Sequence, residues 1–419
     1  MANADMPADT MLRTADGQPL KSALAKASRK ARIRAFLLVV PLLIFVLLTF
    51  VIPIGQMLSR SVNNDQFSES MINIGVWFDE NPNAEPNEAA YAALAADLVY
   101  SAANRMIGNA GTRINYEVPG TRSLFTSSGR KAKNLKAPFK EALLELDEDW
   151  ARPDLWAAMR SASGTTTFNF YQAAVDRKIN ADGQFERADE NSRIYMTLFG
   201  RTFALSVVIT GLCLLLGFPI AHLLATLPLR KASLLMILVL LPFWTSLLVR
   251  TTSWMVLLQG QGVINNVLVS LGIVTEDGRL EMMYNQTGTI IAMTHILLPF
   301  MILPLYSVMK TIPPSYARAA RSLGATSWTT FRRIYLPQTV SGIGAGGILC
   351  FILAVGYYIT PALVGGADGT LISNQIAFHM QNSLNWSLAA ALATMLLASV
   401  LILYWAYDRL VGIDNMKLG

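Results

Sequence analysis

The chain has 419 residues, of which 53% are hydrophobic and 15% charged. A soluble domain carries nearer a quarter of charged residues, so this composition excludes an ordinary water-soluble enzyme. The net charge of +6 sits beside apolar runs, which argues against nucleic acid as a partner and for residues that orient spans in a membrane.

Residues 1–34 are polar and turn basic toward their end, with seven Lys/Arg against three acids. They read as a cytoplasmic N-terminal tail. The first apolar run, AFLLVVPLLIFVLLTFVIPI at 35–54, carries no charge and continues into GQMLSR. A cleaved signal peptide would have a shorter apolar region and a small-residue cleavage site, so an uncleaved transmembrane helix is expected. Residues 55–196 differ in kind, with 19 acids and 15 bases. Tyr91, Leu94, Ala95, Leu98, Val99 and Ala102 share one helical face, as do Phe139, Leu143, Leu146 and Trp150. The expectation is a mainly helical inserted domain that no ligand motif marks as a binding module.

Five further apolar runs follow, at about 203–225, 232–257, 289–309, 341–364 and 388–407. Each is long enough to cross about 30 Å of hydrocarbon at about 1.5 Å per residue. The predicted fold is an all-α polytopic membrane protein of six transmembrane helices, with the inserted domain between helices 1 and 2. Cys213 and Cys350 lie inside apolar runs, which argues against a structural disulfide and against a Cys/His metal site.

Charge assigns the sides. Arg230 and Lys231 lie between the second and third runs, and Lys310, Arg318, Arg321, Arg332 and Arg333 between the fourth and fifth. The connection between the fifth and sixth has no Lys or Arg, and that between the third and fourth has Glu276, Asp277 and Glu281 beside Arg279. The positive-inside rule places both termini, including a short tail at 411–419, in the cytoplasm and residues 55–196 outside, which in a bacterial inner membrane is the periplasm.

The stretch YARAARSLGATSWTTFRRIYLP, residues 316–337, stands out between two spans. Tyr316, Ala319, Ala320 and Leu323 recur on one helical face, bounded by Pro313–Pro314 and Gly324. Gly324 suits a left-handed C-cap, and Ser327 can cap a following helix whose apolar face is Trp328, Phe331 and Ile334 or Tyr335. Pro337 either stops that helix or starts the fifth span. Two readings are open: an amphipathic connector resting on headgroups, or a helix laid into a partner's groove.

The spacing resembles the signature of inner-membrane permease subunits of binding-protein-dependent ABC importers: E-A-A, three residues, G, nine residues, I-x-L-P. This chain has Ala319–Ala320, Gly324, Ile334, Leu336 and Pro337 at those intervals, with Arg318 at the family's Glu position. LPFWTSLLVRTTSWMVLLQGQGVINNVLVSLG (241–272), LLPFMILPLYSVM (297–309) and TPALVGGADGTLISNQI (360–376) look like the polyamine (spermidine/putrescine) branch, and the resemblance covers about 198–410. It implies the type I importer permease fold and a non-catalytic subunit that pairs with a second permease, with a cytoplasmic ABC ATPase dimer and with a periplasmic solute-binding protein. ATP and Mg would be used by the partner ATPase, with no cofactor or metal on this chain. It further implies that Tyr316, Arg318, Ala319, Ala320, Leu323 and Gly324, with Ile334, Leu336 and Pro337, form the coupling segment (315–337) that docks on the ATPase.

The residues themselves agree on a separate motor, since GxxxxGK[ST] occurs nowhere. A proton- or sodium-coupled transporter would place Asp or Glu at mid-membrane, yet between Glu281 and Asp408 the sole acid is Asp368, in a connection. An intramembrane enzyme is disfavoured because HExxH is absent and the three histidines, His222, His295 and His379, are scattered. A membrane sensor with an outer domain would want a cytoplasmic signalling domain. The candidate solute contacts are Trp244, Arg250, Trp254, His295 and Tyr357, polar or aromatic groups at membrane depth. Aromatic faces suit a polycation; an inward Arg250 suits an amino-acid-like, opine or phosphonate solute.

Overall fold

The computed structural model describes residues 20–180 and 182–411, so residues 1–19 of the expected N-terminal tail and 412–419 of the C-terminal tail lie outside the described residues. The chain divides into two units, residues 1–59 and 60–419. In the first, helix α1 (Ser28–Ser59) presents an unbroken series of exposed apolar side chains, among them Phe36, Leu38, Leu42 and Phe50. Only a hydrocarbon solvent suits such a surface. A π-turn at Leu47–Val51 interrupts α1 two residues before Pro53 and is closed by the Ile52 N–H donating to the Leu47 carbonyl. Proline removes a donor and crowds the carbonyl four residues back, and the wider turn accommodates both effects.

The second unit begins with the inserted domain. Its helices are α2 (Ile72–Glu80), α3 (Glu88–Ala103), α4 (Ile107–Asn115), α5 (Thr121–Lys131), α6 (Phe139–Leu146), α7 (Pro153–Ser161) and α8 (Asn169–Ala174). Tyr91, Leu94, Ala95 and Leu98 of α3 are buried against Leu143, Trp150, Leu155 and Met159, with Val99, Phe139 and Leu146 at the margin. Trp150 is fully buried, and its indole Nε1 donates to Ser128 Oγ at 3.0 Å. Asp97, also on α3, accepts from the backbone N–H groups of Asn73 (3.0 Å) and Ile74 (2.8 Å) and from Asn73 Nδ2 (2.7 Å), so it caps α2. Burial nevertheless pushes its carboxyl above the usual range, the three bonds opposing. A helix-period reading misses a two-stranded antiparallel hairpin, β1 (Arg177–Ile179) and β2 (Phe185–Arg187), whose strands are too short for periodicity to register.

Asp176, just before β1, accepts from the N–H groups of Ile194, Tyr195 and Met196 and so caps helix α9 (Tyr195–Thr226), where the dipole favours an anion. Phe170 and Ala174 of α8 pack with Leu198 and Phe199 of α9 and Leu388 and Leu392 of the last helix. Capped and packed in this way, the domain is tied to two membrane helices by a shared apolar cluster.

Two expected spans are corrected. The run at 232–257 is not one continuous helix: helix α10 (Leu229–Leu240) passes into a 3₁₀ turn at Leu241–Trp244, and α11 (Leu247–Leu258) leaves with α12 (Val263–Ser270), the pair Leu229–Trp244 and Leu247–Ser270 being bent by 97°. Pro242 cannot donate within the ladder, and Thr245 and Ser246 are extended. Between them, α10 and α11 have 12 residues each, about 18 Å apiece and short of a bilayer. The run at 341–364 likewise divides. Helix α13 (Gln286–Thr311) and the short α14 (Pro314–Ser322) come first; α15 then occupies Ser327–Gly356, Tyr357 is extended, and α16 is Ile359–Val364. Pro361 has no N–H for the Tyr357 carbonyl, which accepts from Ser373 Oγ at 2.6 Å instead, on α17 (Ile372–Gln381). Helix α18 (Trp386–Val411) is the last described element, giving five helices of membrane-crossing length and apolarity among the described residues, or six spans if the bent pair counts as one.

Helices α9, α13 and α15 form the tightest packing, around Ile209, Cys213, Leu297, Met301, Leu305 and Cys350. Gly346 permits it: a Cβ there would lie 2.8 Å from Met301 Sδ and 3.1 Å from the Met301 carbonyl. Both cysteines are free thiols, directed at the Thr294 and Leu297 carbonyls.

Candidate functional site

The basic stretch folds as α14, a turn, and the first turns of α15. Proline at the start of α14 suits its fixed φ. At its end Gly324 has φ +86°, the Gly324 N–H donates to the Arg321 carbonyl (3.0 Å), and the Ala325 N–H reaches the Ala320 carbonyl (3.1 Å). That pair of bonds is a Schellman cap. The next helix is capped by Thr326 rather than Ser327, its Oγ1 accepting from the Thr329 N–H at 3.2 Å. Threonine one position earlier already has the extended backbone a cap needs.

The second short helix is not a separate element. It runs through a π-turn at Phe331–Tyr335, where the Leu336 N–H donates to the Phe331 carbonyl, and on past Pro337 as the start of α15. Pro53 and Pro337 thus use one device, a π-turn two residues ahead. Phe331 packs edge-on to Phe218 of α9, and Tyr335 Oη lies 2.9 Å from His222 Nδ1. Both contacts fall on α9, so the turn at the root of α15 is joined to that helix.

Helix α14 buries no residue, with Tyr316 52% and Leu323 88% exposed and Ala319 exposed beside them. At about 100° per residue, Tyr316, Ala319, Ala320 and Leu323 form one side of α14 while Ala317, Arg318 and Arg321 form the other. The basic side, together with Tyr316 from the edge of the apolar side, lines a cleft of about 680 Å³ shared with Lys310, Phe331, Ile334 and Tyr335. Arg318, which occupies the position expected for an acid, therefore faces the cleft.

Of the five candidate solute contacts, Trp254 and His295 are in direct contact. Trp254 Nε1 donates to His295 Nδ1 at 3.1 Å, with the rings edge-on at 5.3 Å. An indole only donates, so His295 Nδ1 is an acceptor. Arg250, one turn before Trp254 on α11, lies within electrostatic reach of both His295 and Tyr357, and its Nε is buried without a hydrogen-bond partner among the described residues. Trp244 is not with them: it ends the 3₁₀ turn and is 74% exposed, because the 97° bend turns it away. Thr251 and Thr360, which the sequence reading does not single out, join α11 to α16 through a buried hydroxyl pair at 3.1 Å. No group of three or more His, Cys, Asp or Glu able to hold a metal is found among the described residues.

Residues 203–412 match the family model described as the binding-protein-dependent transport system inner membrane component. The chain belongs to this family. It is accordingly a mainly helical, polytopic permease subunit of an ABC importer and not an enzyme, and the family implies an ATPase and a substrate-binding protein as partners. The spermidine/putrescine transport system permease protein PotB of Escherichia coli K12 is 35% identical over 222 residues, 52% of this chain and 80% of that protein. The inner membrane ABC transporter permease protein YdcU of the same organism is 32% identical over 222 residues, 51% of this chain and 70% of that protein. Among solved structures, a chain of a bacterial ABC transporter involved in the import of the acidic polysaccharide alginate is similar at 20% identity and a TM-score of 0.44, over 53% of this chain and 80% of that one. The inserted domain lies outside the family match.

Proposed function

We propose that this chain forms half of a solute pathway whose motor, a separate ATPase, grips the exposed Tyr316–Ala319–Ala320–Leu323 side of α14. The observation that carries this reading is an amphipathic helix that buries none of its residues among the described ones, hinged at a left-handed glycine and followed beyond the hinge by a membrane-length helix. A side chain as apolar as Leu323 at 88% exposure calls for a partner surface. Nucleotide-driven closure of the ATPases would move α14 as a rigid lever, and the Phe331–Phe218 and Tyr335–His222 contacts would pass that movement to α9. In this reading both termini and α14 are cytoplasmic and residues 55–196 are periplasmic.

The solute proposed first is a polyamine, supported by relatives named as spermidine/putrescine permeases at 35% identity. Trp254 and Tyr357 would offer it aromatic faces. A carboxylate- or phosphonate-bearing solute is favoured by one observation, the unpartnered Nε of Arg250 on α11. The test is ATP-driven uptake into vesicles holding the whole complex, with radiolabelled spermidine against a labelled zwitterion. Uptake without any ATPase subunit bound refutes the gripped lever, and a tag at residue 130 reached from the cytoplasm refutes the orientation.

A further inference from the structure

The cleft behind α14 lies where α9 ends at Thr226 and α13 at Thr311. It is lined by the apolar Met309, Ile312 and Phe331 and by the cations Lys310, Arg318 and Arg321. Among the described residues no carboxylate lies within ion-pair distance of these three cations. Lys310 Nζ donates to the Ala225 carbonyl at 3.3 Å. Thr330, lining the same cleft and 3% exposed, has a hydroxyl with no partner among the described residues. Three cations and apolar side chains lining one cleft make an anion site with room for attached methylenes.

We propose that this cleft binds the phosphate headgroup of an anionic phospholipid. Its level, at the ends of two membrane-length helices, is that of the headgroups, and the apolar lining suits a glycerol backbone and the first acyl carbons better than a free, fully hydrated anion. Basic pockets at the cytoplasmic ends of spans attract anionic lipid in this way. The lipid would brace the basic side of α14 while the opposite side stays free. The inference rests on the reading above only in taking this end as cytoplasmic.

The test uses the purified complex in nanodiscs of phosphatidylethanolamine with phosphatidylglycerol, counting retained lipid by native mass spectrometry. Wild type retains phosphatidylglycerol in preference. Each charge lost weakens retention roughly fivefold, so K310Q/R321Q weakens it about 25-fold and R321Q alone about fivefold. K310R/R321K, which keeps the charges, restores it, and retention is scored on variants whose thermal unfolding matches wild type. Inorganic phosphate at millimolar concentration does not displace the lipid. Displacement by phosphate would assign the cleft to a free anion and overturn the lipid; so would absence of preference, or retention unchanged in K310Q/R321Q. Loss of the ATPase in K310Q/R321Q with lipid retention intact would make the cleft a protein contact, again overturning it. ATPase retention is read on the same wild-type sample, so a failure of the coupling reading shows separately from a failure of lipid binding.

Discussion

Replacing Gly324 by valine perturbs one backbone angle and little else. A Cβ at this position meets nothing within 4 Å, so no steric clash confuses the result. The whole effect comes from φ +86°, which glycine adopts freely. An L-residue held in the left-handed region costs about 1–2 kcal/mol, more for a β-branched side chain. Relief means breaking the Schellman bonds, Gly324 to Arg321 and Ala325 to Ala320. Helix α14 has nine residues and cannot sustain itself in isolation, since helices shorter than about 12–15 residues are marginal in water. A cap loss of about 1.4 kcal/mol shifts the docked geometry tenfold. The assay is ATP-driven solute uptake by the reconstituted complex, with ATPase co-purification as a second readout. Asparagine tolerates the left-handed region better than alanine, so the expected order of uptake is Gly, Asn, Ala, Val, with the protein still inserted in every case. Wild-type uptake in Gly324→Val would refute the lever, because the hinge would then have no function to lose.

Other outcomes follow from the same geometry. Gly346→Leu forces side-chain atoms into Met301 across the α13–α15 contact; overpacking of this kind costs about 1–3 kcal/mol, read as a lower thermal transition of the purified chain. Arg250→Gln removes a half-buried cation from α11, so uptake of a labelled dication should rise and that of a labelled carboxylate should fall; no change in either places Arg250 outside the pathway. Burial raises the Asp97 carboxyl, so its protonated form favours the folded state. That contribution is present below the unfolded value, about 3.9, and is lost as pH rises through the raised folded value. Asp97→Asn should lower stability by losing one acceptor bond but flatten this slope, measured by protease resistance of the inserted domain between pH 3 and 7.

Hydropathy alone locates the membrane-length helices, because about 20 uncharged apolar residues have no other suitable solvent. The motif spacing from Ala319 to Pro337 is equally legible, since glycine and proline act through local backbone geometry that neighbours do not alter. The α3 face was readable for the same reason, as the buried Tyr91, Leu94, Ala95 and Leu98 share one period. The buried Asp97 on that helix was not, for its partners Asn73 and Ile74 belong to another element. Nor was the bend: Pro242 announces a weak point, but whether a helix kinks there or breaks by 97° depends on what its two arms pack against. Trp244 and Trp254 look alike in sequence, and the bend separates them.

The amino-acid sequence by itself therefore determined the class of protein, the apolar helices and the glycine hinge, all properties of short stretches in contact with lipid or with their own backbone. Only the tertiary structure decided that Trp254 meets His295, that Arg318 faces a cleft behind α14, and that the second short helix is the root of α15. These depend on which distant residues share a space, and periodicity along one chain carries no record of that.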